Sequence, residues 1–379
     1  MNKSPYAHLQ HLSVTIGARA SGSENERRAA EYVKETLNGL GVKAHIEEFK
    51  ALPTYSWLYV MIYSFFLVAA VAVKYSPKMA LIMWLHGMIF YLTENSTYAS
   101  LSKILPKRKS CNVIGRIAPD GETRQTIVVT AHIDSSKSAI FFHPAMVKGF
   151  RTTFVTTLAA IFAVGVLAAA GFIVRSSVQY YLIIAVALYL VFIILLLVHR
   201  EIFGRHTHGA NDNASGVAAM LETARIVSQS PPPEKEILFV GTGSEETGAF
   251  GMTHLLKTQH FDPQRTVFLN LDNLGTGNLS VTTREGMILR RNADTKMVSV
   301  AENFTLPSTG KPARKRDFNT MLTDVYPALM RGYRGISIMA YDDEGVLPNW
   351  HWASDLMENV SESNLKDAAA LAAHIIKSR

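Results

Sequence analysis

Gly209-Ala210-Asn211-Asp212-Asn213-Ala214-Ser215-Gly216-Val217-Ala218-Ala219-Met220-Leu221-Glu222 changes character halfway along. The first half is a loop of small and amide residues around one carboxylate, Asp212. In the second half Val217, Met220 and Leu221, followed by Ala224, recur at helical spacing, so an amphipathic helix begins here. Asn213 or Ser215 can cap its first turn, and the positive end of the helix dipole favours a nearby anion. A carboxylate fixed at such a helix start has two oxygens to offer, enough to bridge two cations.

Upstream, Ser110–Ile117 and Thr126–Ile133 are β-rich, the second nearly continuous in apolar residues, as a central buried strand should be. It closes on Thr130-Ala131-His132-Ile133-Asp134, and on a strand His132 and Asp134 face the same way, so the carboxylate can orient the imidazole. Downstream, the strand Ile237–Gly241 runs into Gly243-Ser244-Glu245-Glu246-Thr247-Gly248, and Val267–Leu271 ends on Asp272. Strands near Val281 and over Ile336–Tyr341 precede Asn349-Trp350-His351-Trp352, and a helix closes the chain over 361–377. Strands alternating with helices predict an α/β fold: a mixed, mostly parallel central sheet flanked by helices. Taken singly, these motifs have plain explanations: a strand-end turn, a solvated glutamate pair, a surface histidine. Taken together they fall at consecutive strand ends, where open sheets place their ligand sites. A buried Asp272 needs a partner, and a donor set of His, Asp and Glu suits zinc better than calcium or haem. Of two adjacent glutamates beside a metal, one binds and the other is free to take a proton from water.

The 379-residue chain is 48% hydrophobic but only 18% charged, against roughly 25% charged in a typical soluble domain. The shortfall is concentrated in uncharged blocks. Ala51–Val73, Thr152–Val174 and Ser176–Val198 each run 23 residues without a formal charge, and Met79–Thr93 runs 15. A span needs about 20 apolar residues, so the sequence predicts two inserted transmembrane hairpins, 51–95 and 152–198, interrupting one discontinuous domain made of 1–50, 100–150 and 200–379. The net charge of +7 sits largely beside these blocks, which points to an anionic lipid bilayer and not to nucleic acid. The single cysteine, Cys111, excludes an internal disulfide and fits a reducing compartment. No apolar leader opens the chain, and basic residues at the flanks outnumber those in the hairpin turns, where Arg175 lies. A multi-pass membrane protein with its catalytic domain in the cytoplasm is therefore expected.

In order along the chain, His132-x-Asp134, Ala210-Asn211-Asp212-Asn213-Ala214-Ser215-Gly216, Glu245-Glu246-x-Gly248 and Leu271-Asp272-x-Leu274-Gly275 resemble the motifs of the di-zinc aminopeptidase family. That family includes leucyl-type aminopeptidases, glutamate carboxypeptidases and glutaminyl cyclases. Gly17–Ser23 and Thr323-Asp324 are similar as well, so the resemblance covers roughly 1–50, 105–145 and 205–379. It implies the zinc exopeptidase fold and two Zn2+ ions bridged by Asp212. His132 and Asp272 would complete one site, Glu246 and His351 the other. Glu245 would be the general base, Asp134 would orient His132, and the Asp212–Asn213 peptide would be cis. Two departures stand out. The segment His351-Trp352-Ala353-Ser354-Asp355 differs from the family's usual pattern, which keeps His206, His208 and His143 in reserve as ligands. A membrane hairpin also lies between His132 and Asp212, where the family has a short loop. The resemblance implies an exopeptidase, most simply an aminopeptidase, acting on a peptide substrate. The alternatives are a one-zinc glutaminyl cyclase and a non-catalytic scaffold or receptor subunit of the same fold. About thirteen residues separate Val198 from Asp212, and about eighteen separate His132 from Arg151. A site near the bilayer surface, with His143, Lys148, His206 and His208 at its rim and apolar or membrane-derived peptides as substrate, is therefore an expectation. Insertion at a tolerant loop for anchoring alone is the alternative.

Overall fold

The computed structural model describes residues 3–119, 121–174 and 176–378. Among these the strands are β1 Lys43–Ala51, β2 Arg108–Ile117, β3 Gln125–His132, β4 Lys235–Thr242, β5 Thr266–Leu271, β6 Asn278–Glu285, β7 Arg291–Asn292, β8 Arg314–Phe318 and β9 Arg334–Tyr341. The helices are α1 Pro5–Gln10, α2 Glu24–Gly39, α3 Ser56–Ala72, α4 Pro77–Asn95, α5 Phe150–Ala170, α6 Ser177–Phe203, α7 Ser215–Ser228, α8 Phe250–Thr258, α9 Thr295–Glu302, α10 Val325–Met330 and α11 Glu362–Ser378. Two compact units divide the chain. One comprises residues up to Pro53, Lys107–Ser138 and from His206 onward; the other comprises Thr54–Pro106 and Ala139–Arg205.

The first unit is built on one mixed sheet in the order β1-β2-β4-β3-β5-β9-β6-β7, with β8 paired to β6. Its centre, β4-β3-β5-β9, is parallel, and the flanking β1/β2, β2/β4 and β6/β9 pairs are antiparallel. The central strands are apolar on both faces because both faces are covered. Val129, Ala131, Ile237 and Leu269 pack with residues of α1, α2, α7 and α11, whereas Val128, Leu238, Val240 and Phe268 pack with α8 and α10. This is the α/β architecture expected from the sequence. At the opening, Ser23 caps α2 by accepting from the Glu26 N–H at 3.2 Å, and Ala29, Ala30, Val33 and Leu37 form the buried face of that helix.

The second unit holds α3–α6 as two helix pairs, α3/α4 and α5/α6, each joined by a short connection, with β2 and β3 of the first unit lying between the pairs in sequence. Two stretches, Val147–Ala170 and Ser177–Phe203, are long and apolar enough to cross a membrane by length and composition. The first expected span is shorter than its charge-free run. Ala51 ends β1, Pro53 breaks the chain direction, and α3 holds only 17 residues, about 26 Å at 1.5 Å per residue. α4, at 19 residues, is longer than the uncharged Met79–Thr93. Trp84 on α4 donates to the Ile161 carbonyl on α5 at 2.8 Å, across a contact where Gly165 leaves room for the indole. Arg200, a basic residue just beyond the apolar run that ends at Val198, is buried within α6. It stacks over Tyr55 at 4.2 Å, donates to Thr54 and Ser56 at 3.1 Å and pairs with Glu201 at 3.1 Å. Arg175 lies outside the described residues.

Candidate active site

Parallel strands deliver their C-terminal ends to one edge of the sheet, and the chemistry gathers there. His132 is the last residue of β3, Glu245 and Glu246 lie in the turn after β4, and Asp272 directly follows β5. Asp212 sits in the irregular turn before α7, and His351 lies in the long segment after β9. His132, Asp134, Asp212, Glu246, Asp272 and His351 are buried, and Glu245 is half-buried.

Asp212 is at the centre. Its Oδ1 is 3.1 Å from His132 Nε2, and its Oδ2 is 3.0 Å from His351 Nε2. Asp272 Oδ1 lies 3.7 Å from the same nitrogen of His132, and Glu246 Oε2 lies 3.0 Å from the same nitrogen of His351. The result is two half-sites, His132/Asp272 and His351/Glu246, joined through one carboxylate. One ligand atom each from His132, Asp212 and Glu246 lie within 4.8 Å of one another, close enough to hold a metal ion. Of the reserve histidines, His208 has Nδ1 2.9 Å from the Ser13 carbonyl, His206 forms a β-bridge with Lys137, and His143 accepts from the Ala145 N–H.

The residues present fit a cation. Asp212 Oδ2 and Glu246 Oε1 are buried and accept no hydrogen bond among the described residues, although His351 Nε2 lies 3.0 Å from Asp212 Oδ2. Unpaired buried carboxylate oxygens are costly unless a cation neutralises them. Burial raises the Asp212 carboxyl, yet the two imidazoles overcome this and hold it below the ordinary carboxylate range. Burial lowers His351, but Glu246 and Asp212 outweigh it and hold the ring at about 9. His132 is held well above its usual value in the same way, by Asp134, Asp212 and Asp272 against burial. The cluster demands positive charge between its acids, and nitrogen and carboxylate oxygen are donors that zinc accepts. Glu245 behaves differently. Burial pushes its carboxyl well above the usual range against the opposing pull of His132, with Asp324 and Glu246 adding to the rise.

The supports come from main-chain chemistry. Asp134 lies in the turn beyond β3, so the alternating-face argument does not apply to it; the turn brings its main-chain oxygen to 3.2 Å and its carboxylate to 3.5 Å from His132 Nδ1. The same carboxylate accepts from the Glu245 and Glu246 N–H groups at 3.1 and 3.2 Å. Asp355 accepts from the Asn211 and Asp212 N–H groups at 2.5 and 3.2 Å. Asn213, not Ser215, caps α7: its Oδ1 accepts from the Gly216 N–H at 3.0 Å and the Asn273 N–H at 3.2 Å. The Asp212–Asn213 peptide is cis. Ser244, Asn273 and His351 have φ of 54°, 52° and 50°, left-handed conformations that non-glycine residues keep where the surroundings impose them. Below the ligands Thr130 donates to Asn270 at 2.9 Å, and Asn270 reaches Ser337 at 3.4 Å. Glu26 accepts from the Ser244 N–H at 2.9 Å, and Thr242 donates to the buried Asp324. Sequence reasoning missed Glu26 and Asp355 in these roles.

Comparison with known proteins agrees with this geometry. Residues 193–376 match peptidase family M28. The chain is 30% identical over 180 residues to Aminopeptidase YwaD of Bacillus subtilis, covering 43% of this chain and 36% of that protein. It is 31% identical over 122 residues to the alkaline phosphatase isozyme conversion protein of Escherichia coli, covering 30% and 34%. The match thus spans about a third of the length of these curated relatives. In fold, the chain is similar to BSAP, a zinc aminopeptidase from Bacillus subtilis, with TM-score 0.57 and 17% identity, covering 99% of this chain and 93% of that one. It is equally similar to a glutaminyl cyclase of Bacteroides thetaiotaomicron, with TM-score 0.58 and 17% identity over 99% and 97%. The resemblance read from the motifs is borne out, and the fold is that of the zinc exopeptidases.

Proposed function

We propose that this chain, with its resemblance to peptidase family M28, is a membrane-anchored di-zinc exopeptidase, most simply an aminopeptidase. The observation that carries the reading is Asp212 with an imidazole on each of its two oxygens, His132 at 3.1 Å and His351 at 3.0 Å. His132, Asp212 and Asp272 would hold one ion; Asp212, Glu246 and His351 the other. Zinc bound there supplies Lewis acidity toward the scissile carbonyl and lowers the pKa of a water to roughly 7. Glu245 takes the proton from the attacking water and returns it to the leaving amine. Asp134 and Asp355 keep the turns that carry Glu245, Glu246 and Asp212 in place.

Purified protein should hold about two zinc ions per chain and hydrolyse peptides with a free N-terminus, but not N-blocked ones. Chelation should abolish the activity. Glu245→Gln should keep its zinc and lose roughly 10²–10⁴-fold in rate; near-normal turnover would remove Glu245 from the role. One zinc per chain, with ammonia released from N-terminal glutaminyl peptides, would assign cyclase chemistry. A chain that binds no zinc would be a scaffold.

In the same reading α3–α6 are membrane-embedded and the catalytic unit is cytosolic. Lys50, Lys103, Lys107, Arg108, Lys109, Lys148, Arg151 and Arg205 flank the apolar helices on one side, against Lys74 before α4, Lys78 in its first turn and, in the sequence, Arg175; the positive-inside rule assigns the more basic side to the cytosol. Protease added to right-side-out cells should leave residues 206–378 intact; digestion there would refute the orientation.

A further inference from the structure

Arg19 is buried, with 1% of its surface exposed, in the small-residue stretch between α1 and α2. Its Nε donates to the Ile133 carbonyl at 2.8 Å. Its Nη1 donates to Leu12 and Gly17 at 3.0 Å and to His208 at 2.8 Å, and its Nη2 donates to Gly209 at 2.9 Å. Its main chain joins the same region, because the Arg19 N–H donates to Ser135 Oγ and the Ser135 N–H donates to the Arg19 carbonyl, both at 3.0 Å. Ser135 Oγ in turn donates to the Thr207 carbonyl, and the Thr207 N–H donates to Ser136, both at 2.9 Å. Residues 133–137, leaving His132, and 206–209, arriving at Asp212, are thus sewn side by side. Arg19 lies across the seam.

We propose that Arg19 is a positioning residue for the metal site, locking the segment after His132 to the segment before Asp212. The proposal rests on the di-zinc reading above. The sequence separates these two ligands by the α5–α6 hairpin, so nothing in local chain continuity fixes the bridging carboxylate relative to His132. A planar guanidinium reaches carbonyls of three segments at once, whereas a lysine ammonium is one compact charge. Gly209 leaves no slack, since its φ is 60° and a Cβ there would meet Ser135, the Asp212 carbonyl oxygen and the guanidinium. Among the described residues the guanidinium donates only to main-chain carbonyls, with Asp355, Asp134, Asp212 and Glu246 acting on it at longer range.

A positioning role and a purely electrostatic role predict opposite signs. If Arg19 were only a nearby positive charge, removing it would tighten binding of a cation by the carboxylates. If it holds the two segments in register, removing it loosens binding, as loss of supporting hydrogen bonds around ligands does by roughly 10–100-fold. In full-length Arg19→Lys and Arg19→Ala, zinc affinity measured by chelator competition should fall by about 10–100-fold, and kcat should fall with KM little changed. The cobalt-substituted visible spectrum should change shape in both variants. Millimolar guanidinium should restore part of the zinc affinity of Arg19→Ala. Unchanged or tighter zinc binding would overturn the proposal. If Arg19→Ala does not fold, Ser135→Ala, which removes the hydroxyl linking Arg19 to Thr207, should shift zinc affinity in the same direction, and unchanged affinity there would also overturn it. Wild-type protein without zinc defeats the di-zinc reading; two zinc ions in wild type and in every variant, with equal affinity, defeat only the role of Arg19.

Discussion

Asp134 does two things with one carboxylate, approaching His132 from one side and holding the Glu245 and Glu246 N–H groups from the other. Asn at this position keeps the shape but replaces one acceptor oxygen with an NH2 donor, which would face a main-chain N–H. Asp134→Asn should therefore cost about 10–100-fold in zinc affinity or turnover and change thermal stability little, measured by metal titration and calorimetry. Full activity in this variant would show that the turn after β4 holds itself. The candidate ligands were legible in the sequence because few residue types bind metals and because strand ends are recognisable from apolar runs. Arg19 and Asp355 were not, since their targets are main-chain groups that leave no mark on the sequence. The available signals were slight: a lone cation inside Gly17–Ser23, and an acid four residues after His351.

The start of α7 shows how tightly an element can be tied to the chemistry. At Gly216 a Cβ would collide with the Leu271 carbonyl oxygen and the Asn213 carboxamide, so only glycine lets the helix seat against the end of β5 while Asn213 caps it. Gly216→Ala should destabilise the fold by about 1–3 kcal/mol through overpacking and reduce turnover further by shifting Asp212. Denaturant unfolding and kinetics would check this, and a stable, fully active variant would contradict the close packing. Long periodic elements were legible: α2, α7, β3, β4, β5, β9 and α11 fall where their apolar spacing places them. The short β7, the basic β8 and the six-residue α10, with Pro327 inside it, carry no such period. The first apolar block misled because absence of charge does not separate the end of a strand from the start of a helix; Pro53 did.

For the molecule as a whole, the burial of so many acids means that cations, where the di-zinc reading puts them, would stabilise the fold as well as serve the chemistry. Asp212, Glu246, Asp272 and Asp134 lie together, with Asp355 and Asp324 behind them, and burial holds Asp355 and Asp324 at about 7. A ligand that binds only the folded state stabilises it by about 4 kcal/mol at a thousandfold excess over its Kd. For a unit of this size that corresponds to roughly 8–16 °C in Tm. Stripping zinc at neutral pH should therefore lower the Tm of the sheet-bearing unit by about that much. Hydrogen exchange should locate the loss in 209–214, 243–248 and 349–355, where the ligands sit on turns and depend on one another. The helices α3–α6 contain none of these ligands and should keep their protection. A Tm unchanged by chelation would mean that the seams made by Arg19, Asp134 and Asp355 hold the acids together without metal. A loss spread evenly over the sheet would mean that the cations support the fold as a whole and not the turns that hold them.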